Sequence, residues 1–189
     1  MRRLSAGGKL TNKYDMKATE LKDIVGYLPY GLIGYQEGHI CRIDMQFVAR
    51  QGVQLCNYKP VLRPMFDLTK EIIHRGKKFV PMVEIGKLLG FDNLKKYEID
   101  GEIQYGFETH YADDAQGYTF GWHQAAQSFG VWYDRIDEET QSVESLIMNL
   151  YAFDKLAEWM FDYRDLIGKG LAIDVSELNE NPYKITIKY

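Results

Sequence analysis

A tight-turn dipeptide flanked by alternating residues is the strongest constraint on the fold. From Tyr97 to Phe107, apolar residues alternate with polar ones on both sides of Asp100-Gly101. Asp-Gly tolerates the positive backbone angles of the two-residue turn that matches strand twist, so this segment predicts a β-hairpin. The same alternation over residues 118–122 and 129–133 predicts two more strands. We therefore expect an antiparallel sheet in the middle of the chain.

The residues before this hairpin predict further strands and three short helices. Residues 32–57 contain period-two segments separated by glycine-containing turns, and they predict a small antiparallel meander. Three segments combine helical spacing with suitable ends. These predicted helices lie near residues 21–25, 68–75 and 81–89.

The last third of the chain predicts one long helix. Ser142 is a suitable N-cap, and apolar residues keep a three-or-four spacing up to about Ile167. Lys169 and Gly170 then supply a cationic last turn and a left-handed stop. Taken together, these elements predict a single α+β domain, in which an antiparallel sheet or meander carries short helices and one long C-terminal helix packed on it.

Length and charge define the extent of the expected domain. The chain has 189 residues, which suits one domain, and its 46% hydrophobic content excludes a disordered chain. Residues 1–15 carry a net charge of +3 without periodicity, which predicts a flexible basic tail. Residues 16–189 carry −7 and form the expected domain. Met16, at this boundary, is an alternative translation start.

Charge and cysteine content restrict the classes of partner and the cellular location. An acidic domain repels phosphate backbones, which disfavours a nucleic-acid partner. No apolar run approaches the length of about 18 residues that a membrane span needs. Cys41 and Cys56 are the only cysteines, and reduced, buried thiols are typical of a cytoplasmic protein. Neither has a partner at the close spacing of a zinc site, and no cofactor is expected.

One loop between predicted strands concentrates imidazole and carboxylate groups. It contains His110, Asp113, Asp114 and His123. Such groups converging on one loop bind a transition metal or act in acid–base chemistry. The alternative is a solvated turn, because the spacing of the two histidines is not specific for a metal and Asp113-Asp114 also suits a plain turn.

Two further features suggest surfaces for a partner. The acidic residues Asp137, Glu138 and Glu139 precede the predicted long helix, where they either offset its dipole or form a face that docks on a basic protein. Trp159 falls off the inward positions of that helix. Its exposure would indicate a surface for a partner or for self-association, and its burial would indicate a helix enclosed on most sides.

Three strings resemble an uncharacterised group of small proteins encoded by phages, prophages and mobile elements of the Bacteroides lineage. The strings are YLPYGL at Tyr27–Leu32, YKPVLRPMFDLTKEI at Tyr58–Ile72 and FDYRDLIGKGLAIDVSELNENPYK at Phe161–Lys184. The resemblance implies a phage or mobile-element origin and an intracellular setting in a bacterial host. The group has no known activity, so it assigns no role to any residue. Residues 91–140 lie outside the resemblance.

These observations favour a non-enzymatic phage or mobile-element accessory protein that binds a macromolecule inside the bacterial host. The expected partner is a host protein or a second copy of the chain. Two alternatives stay open. The first is a component of the phage particle or of its assembly, which would place the protein in the virion. The second is a metal-binding or hydrolytic protein centred on the loop from His110 to His123.

Overall fold

Two antiparallel-rich sheets and a separate hairpin form the framework of the protein. The structure, a computed structural model, describes residues 19–51, 58–99, 101–111, 114–123, 126–133, 142–147 and 150–184. The helices are α1 (Leu21–Ile24), α2 (Met45–Gln51), α3 (Pro81–Leu88) and α4 (Leu150–Glu158). The strands are β1 (Ile33–Gln36), β2 (His39–Arg42), β3 (Lys59–Leu62), β4 (Ile72–His74), β5 (Lys77–Phe79), β6 (Lys95–Ile99), β7 (Glu102–Tyr111), β8 (Asp114–His123), β9 (Ser128–Tyr133), β10 (Ser142–Ile147) and β11 (Ile173–Asp174). The predicted α+β class is confirmed.

The larger sheet follows the predicted hairpin pattern. Its five strands lie in the order β10-β9-β8-β7-β6, and each neighbouring pair is antiparallel. Ile99 pairs with Glu102, so the turn between them has two residues, as the Asp-Gly dipeptide requires. Gly101 has a φ of +81°, a backbone angle that glycine adopts without steric cost.

The smaller sheet confirms only part of the predicted meander. Its strands lie in the order β11-β3-β1-β2, and β11 is parallel to β3. The alternation that begins at Cys41 does not continue as a strand through Phe47, because α2 begins at Met45. Asp44 favours this helix, since its carboxylate accepts a hydrogen bond of 2.8 Å from the backbone N–H of Phe47. The remainder of the predicted meander lies outside the described residues.

The prediction of one long C-terminal helix is wrong. Residues Ser142–Ile147 form β10, which pairs with β9 at the edge of the larger sheet, and α4 is described only from Leu150. The apolar residues Val143, Leu146 and Ile147 fit helical spacing, but β-branched residues also suit a strand. Pairing with β9 decides between the two conformations, and no local pattern reports that pairing.

The helix predicted near residues 68–75 is also wrong. Met65–Thr69 form a 3-10 turn, and the chain then enters the hairpin of β4 and β5. Arg75 and Gly76 form the two-residue turn with φ values of +50° and +77°. Gly76 therefore adopts the left-handed conformation expected of it, but it closes a hairpin instead of ending a helix.

The helices α3 and α4, and the turn that ends at Gly170, close with the same hydrogen bond. At Gly90 and at Gly170, the residue after the glycine donates its N–H to the carbonyl five residues earlier, at 2.8 Å in both cases. The third stop places Met160 in the left-handed position with a φ of +64°, and Phe161 donates to the carbonyl of Leu156 at 2.8 Å. The stop at Gly90 confirms the predicted end of α3, whereas Gly170 adopts the expected left-handed conformation but ends a turn, not a helix.

Two buried clusters meet where α4 ends. The first packs the smaller sheet against α1 and the chain after α4, with Tyr27, Leu62 and Met160 fully buried. The second packs α3 and α4 on the larger sheet, with Phe120, Phe129 and Phe161 in its centre. Within the described part of the chain, no helix combines the length and the apolar character that crossing a bilayer requires.

Candidate functional site

The residues predicted to bind a metal do not converge in the structure. His110 and Asp114 lie at the closed end of the β7–β8 hairpin, where His110 pairs with Ala115 and Tyr111 with Asp114. His123 lies at the opposite end of β8, paired with Ser128. A ten-residue strand separates Asp114 from His123, which places them roughly 30 Å apart. The predicted four-residue site is therefore wrong. Asp113 lies outside the described residues.

Of the residues predicted to contact a partner, only Trp159 lies within the described part of the chain. Asp137, Glu138 and Glu139 lie outside the described residues. Trp159 is 8% exposed, and its ring packs against Phe79 with the ring centroids 4.8 Å apart. The hypothesis that Trp159 presents an exposed partner surface is therefore wrong, because the β4–β5 hairpin covers the indole.

A cleft of about 910 Å³ lies between the β4–β5 hairpin, α3 and α4. We call it the basic cleft, because basic side chains predominate in its lining. Its basic residues are Arg75, Lys77, Lys78, Lys87 and Lys155, together with the imidazole of His74. Its acidic residues are Glu84 and Glu158, and its apolar residues are Phe79, Leu88 and Trp159. Five basic residues against two acidic ones give the cleft a positive potential in a chain whose net charge is −4.

Local turn and helix signals place these cations. The turn at Arg75-Gly76 reverses the chain and pairs His74 with Lys77 across the hairpin. Pro81 then occupies the first turn of α3, which carries Lys87 into the cleft from the next element. Lys155 comes from the last turn of α4, and its ammonium lies 5.9 Å from the centre of the Trp159 ring.

Lys78, Lys87 and Lys155 of the cleft each form an ion pair with a glutamate, and the side chains of these pairs are exposed or partly exposed; Lys78 pairs with Glu71 at 2.6 Å. Lys87 pairs with Glu84 at 2.8 Å, and both side chains are about half exposed. Lys155 pairs with Glu158 at 2.6 Å. Pairs of this kind contribute about 0.2–1 kcal/mol at most, because water screens them. An external carboxylate or phosphate can therefore replace the resident glutamates at little cost.

Arg63 holds two walls of the basic cleft together. It is 3% exposed, and its Nε donates to the carbonyl of Trp159 at 3.1 Å while its Nη2 donates to the carbonyl of Ile73 at 3.0 Å. These carbonyls belong to the end of α4 and to β4. The guanidinium also faces the ring of Tyr183 at 5.8 Å. Burial lowers the pKa of Arg63, yet an arginine stays protonated in proteins, so the buried charge fixes both walls.

His74 is the buried titratable group of the cleft. It is 4% exposed, and its ring stacks on that of Tyr183 with a centroid distance of 6.0 Å. Neither ring nitrogen has a hydrogen-bond partner among the described residues. Burial, followed by the charges of Arg63 and Arg75, lowers the pKa of His74 to about 4. The imidazole is therefore neutral near pH 7, and the positive charge of the cleft comes from lysine and arginine.

The sequence carries a signal for this cleft in its local charge, which side-chain periodicity does not reveal. Residues 70–96 contain seven Lys or Arg residues and three Asp or Glu residues, whereas the chain as a whole is acidic. The predicted helix over residues 68–75 does not indicate the cleft, because a helix would separate His74 and Arg75 from the lysines that follow. The hairpin turn brings these residues to one surface.

The described residues form a cleft lined by charged and apolar side chains, but they show no metal-binding cluster and no activated thiol. Among them, no set of three or more His, Cys, Asp or Glu side chains is grouped to hold a metal ion. Burial raises the pKa of the Cys41 thiol, which lowers its reactivity at neutral pH, and Cys56 lies outside the described residues.

Comparisons of the chain with protein-family models, curated proteins and solved structures gave no match.

Proposed function

We propose that this chain is a non-enzymatic accessory protein that binds an acidic segment of another protein in the basic cleft. The observation that carries the proposal is the concentration of five basic residues around one cleft of an acidic chain. The apolar side chains of Phe79 and Leu88 in the same lining favour a peptide that alternates carboxylates with apolar residues. The resemblance to phage and mobile-element proteins supports action in the cytoplasm of a bacterial host.

A peptide is preferred over a nucleic acid for an electrostatic reason. The net charge of the chain is negative, so a long polyanion that extends beyond the cleft meets repulsion from the rest of the surface. A short acidic segment interacts mainly with the cleft. Its binding is expected to weaken with salt, because the attraction is screened over about 10 Å at 0.1 M ionic strength.

The test is a titration with a fluorescein-labelled peptide of alternating glutamate and valine, followed by fluorescence anisotropy. Lys77→Glu is expected to weaken binding about tenfold, which corresponds to about 1.4 kcal/mol. Lys96→Glu is the matched control, because Lys96 is an exposed strand residue that does not line the cleft. Its affinity is expected to stay within about twofold of the wild type.

Three results would contradict the proposal. The first is an absence of saturable peptide binding, and the second is an equal effect of the two substitutions. The third is tighter binding of a single-stranded oligonucleotide with the same charge as the peptide, which would favour nucleic acid as the partner. Circular dichroism of each variant checks that the fold is retained.

A further inference from the structure

Among the described residues, no strand pairs with the outer edge of β5. Within the described part of the chain, β5 pairs only with β4, and its register places Ile73 opposite Lys78 and His74 opposite Lys77. In an antiparallel hairpin, pairs that exchange hydrogen bonds alternate with pairs whose backbone groups point outward. The two-residue turn makes His74 and Lys77 the exchanging pair, so Ile73 and Lys78 point their N–H and C=O groups away from each other.

Hydrogen bonds on the β4 side confirm this alternation. The outward carbonyl of Ile73 accepts from Arg63 at 3.0 Å. The turn residues Arg75 and Gly76 donate their backbone N–H groups to the carbonyls of Tyr183 and Lys184, at 2.8 and 2.9 Å. The Ile73 carbonyl and the two turn amides are therefore already paired. The backbone N–H and C=O of Lys78, on the other edge, have no such partner among the described residues.

The side chains beside this edge select the charge of an added strand. Lys77 and Lys78 are exposed, and lysine on an edge strand discourages pairing with a like-charged strand such as β5 of a second copy. The same residues attract an acidic strand. Lys77 and Lys78 are adjacent in β5 and point to opposite faces, so the carboxylates on one face of an extended peptide, which recur about every 7 Å, lie beside one of these two lysines.

We infer that the basic cleft takes its acidic segment as an extended strand that pairs with the outer edge of β5 through the backbone N–H and C=O of Lys78. This inference rests on the proposed function and specifies how the partner binds. Backbone hydrogen bonds then supply affinity that is independent of side-chain identity, and the lysines supply the preference for acidic sequences. The bound segment extends the hairpin to three strands.

The test uses two modified forms of the glutamate–valine peptide that have the same charge. One carries N-methyl groups on the valines and the other carries them on the glutamates. Alternate residues of a strand direct their N–H groups to opposite edges, and only one edge of the peptide faces β5. We expect one of the two peptides to bind at least about tenfold more weakly than the unmodified peptide and the other to stay within about threefold.

Amide hydrogen exchange supplies a second readout on the intact protein. Saturation with the unmodified peptide is expected to slow exchange at Lys78 by about tenfold or more, and to leave Lys77 unchanged because its amide is already paired with His74. Equal effects of the two N-methylated peptides, or no change at Lys78, would overturn strand pairing. If Lys77→Glu still weakens binding in that case, the proposed function survives. If the unmodified peptide does not bind, both proposals fail.

Discussion

Acidification is expected to destabilise this protein through one buried imidazole. The pKa of His74 is lowered from 6.5 to about 4, chiefly by burial and then by Arg63 and Arg75, while Glu158 acts in the opposite direction. The folded state therefore keeps the ring neutral while the unfolded chain takes up a proton. Because the unfolded state binds more protons between about pH 6.5 and pH 4, the free energy of unfolding falls as the pH falls through this range.

The size of the effect follows from the shift itself. A lowering of about 2.5 pKa units at about 1.4 kcal/mol per unit gives a loss of about 3 kcal/mol by pH 4. This stability is fully present above the ordinary pKa of a histidine. A loss of this size is a large part of the 5–15 kcal/mol that is typical of a domain, so the wild-type protein is expected to approach unfolding in mild acid.

The assay compares the wild type with His74→Phe, which keeps an aromatic ring against Tyr183 and removes the titrating group. Urea unfolding, followed by tryptophan fluorescence, gives the free energy of unfolding at about pH 7.5 and pH 4 for each protein. Protonation of the carboxylates changes the free energy of unfolding of both proteins. The difference between the loss in the wild type and the loss in His74→Phe therefore reports the contribution of His74. We expect the wild type to lose about 3 kcal/mol more than the variant.

The matched control is His39→Phe, because His39 is exposed on β2 and lies outside the basic cleft. This variant is expected to lose as much stability as the wild type on acidification. The reasoning is refuted if His74→Phe also loses as much as the wild type, since the imidazole would then not be held neutral by its surroundings.

Two further predictions concern the backbone. Met160→Gly is expected to be about 1 kcal/mol more stable than Met160→Ala in urea unfolding. Both substitutions remove the buried side chain, but only glycine accepts the φ of +64° without strain. Equal stabilities would show that the turn is unstrained. Gly106→Ala is expected to destabilise by about 2 kcal/mol, because the new Cβ collides with the carbonyl oxygen of Tyr118. Gly117→Ala in the same hairpin is the control, because no atom lies within 4 Å of the new Cβ, and it is expected to change stability by less than about 0.5 kcal/mol. Thermal unfolding measures both variants, and similar losses in the two would show that the collision does not cause the destabilisation.

The sequence predicted four of the five strands of the larger sheet, because their signals are local and agree with one another, whereas β10 was predicted as helix. Between residues 97 and 133, side-chain alternation and turn residues indicate the same strands, and each strand pairs with its neighbour in the chain. The helix from Pro81 to the stop at Gly90 was predictable for the same reason.

The candidate site was harder to predict because it depends on one turn and on distant contacts. His74 and Arg75 follow a pattern that suits a helix, and only pairing with Lys77–Phe79 makes the segment a strand. Arg63 reinforces that choice from ten residues away, through the carbonyl of Ile73. The segment from His110 to His123 was predicted to be a loop, but most of it forms the ten-residue strand β8. This strand holds Asp114 and His123 at opposite ends, and side-chain alternation does not reveal where such a strand begins.

Local sequence signals alone specify several of the turns of the backbone. Gly76, Gly90, Gly101 and Gly170 all adopt the positive φ expected at those positions, because the steric limits on φ act within a single residue. The tertiary structure decided whether residues 72–74 and 142–147 became helix or strand, and whether the cations of residues 75–87 met at one cleft. Those outcomes depend on strand pairing, burial and contacts such as that of Arg63 with the carbonyl of Ile73, and their free energy outweighs local propensities of less than about 1 kcal/mol per residue.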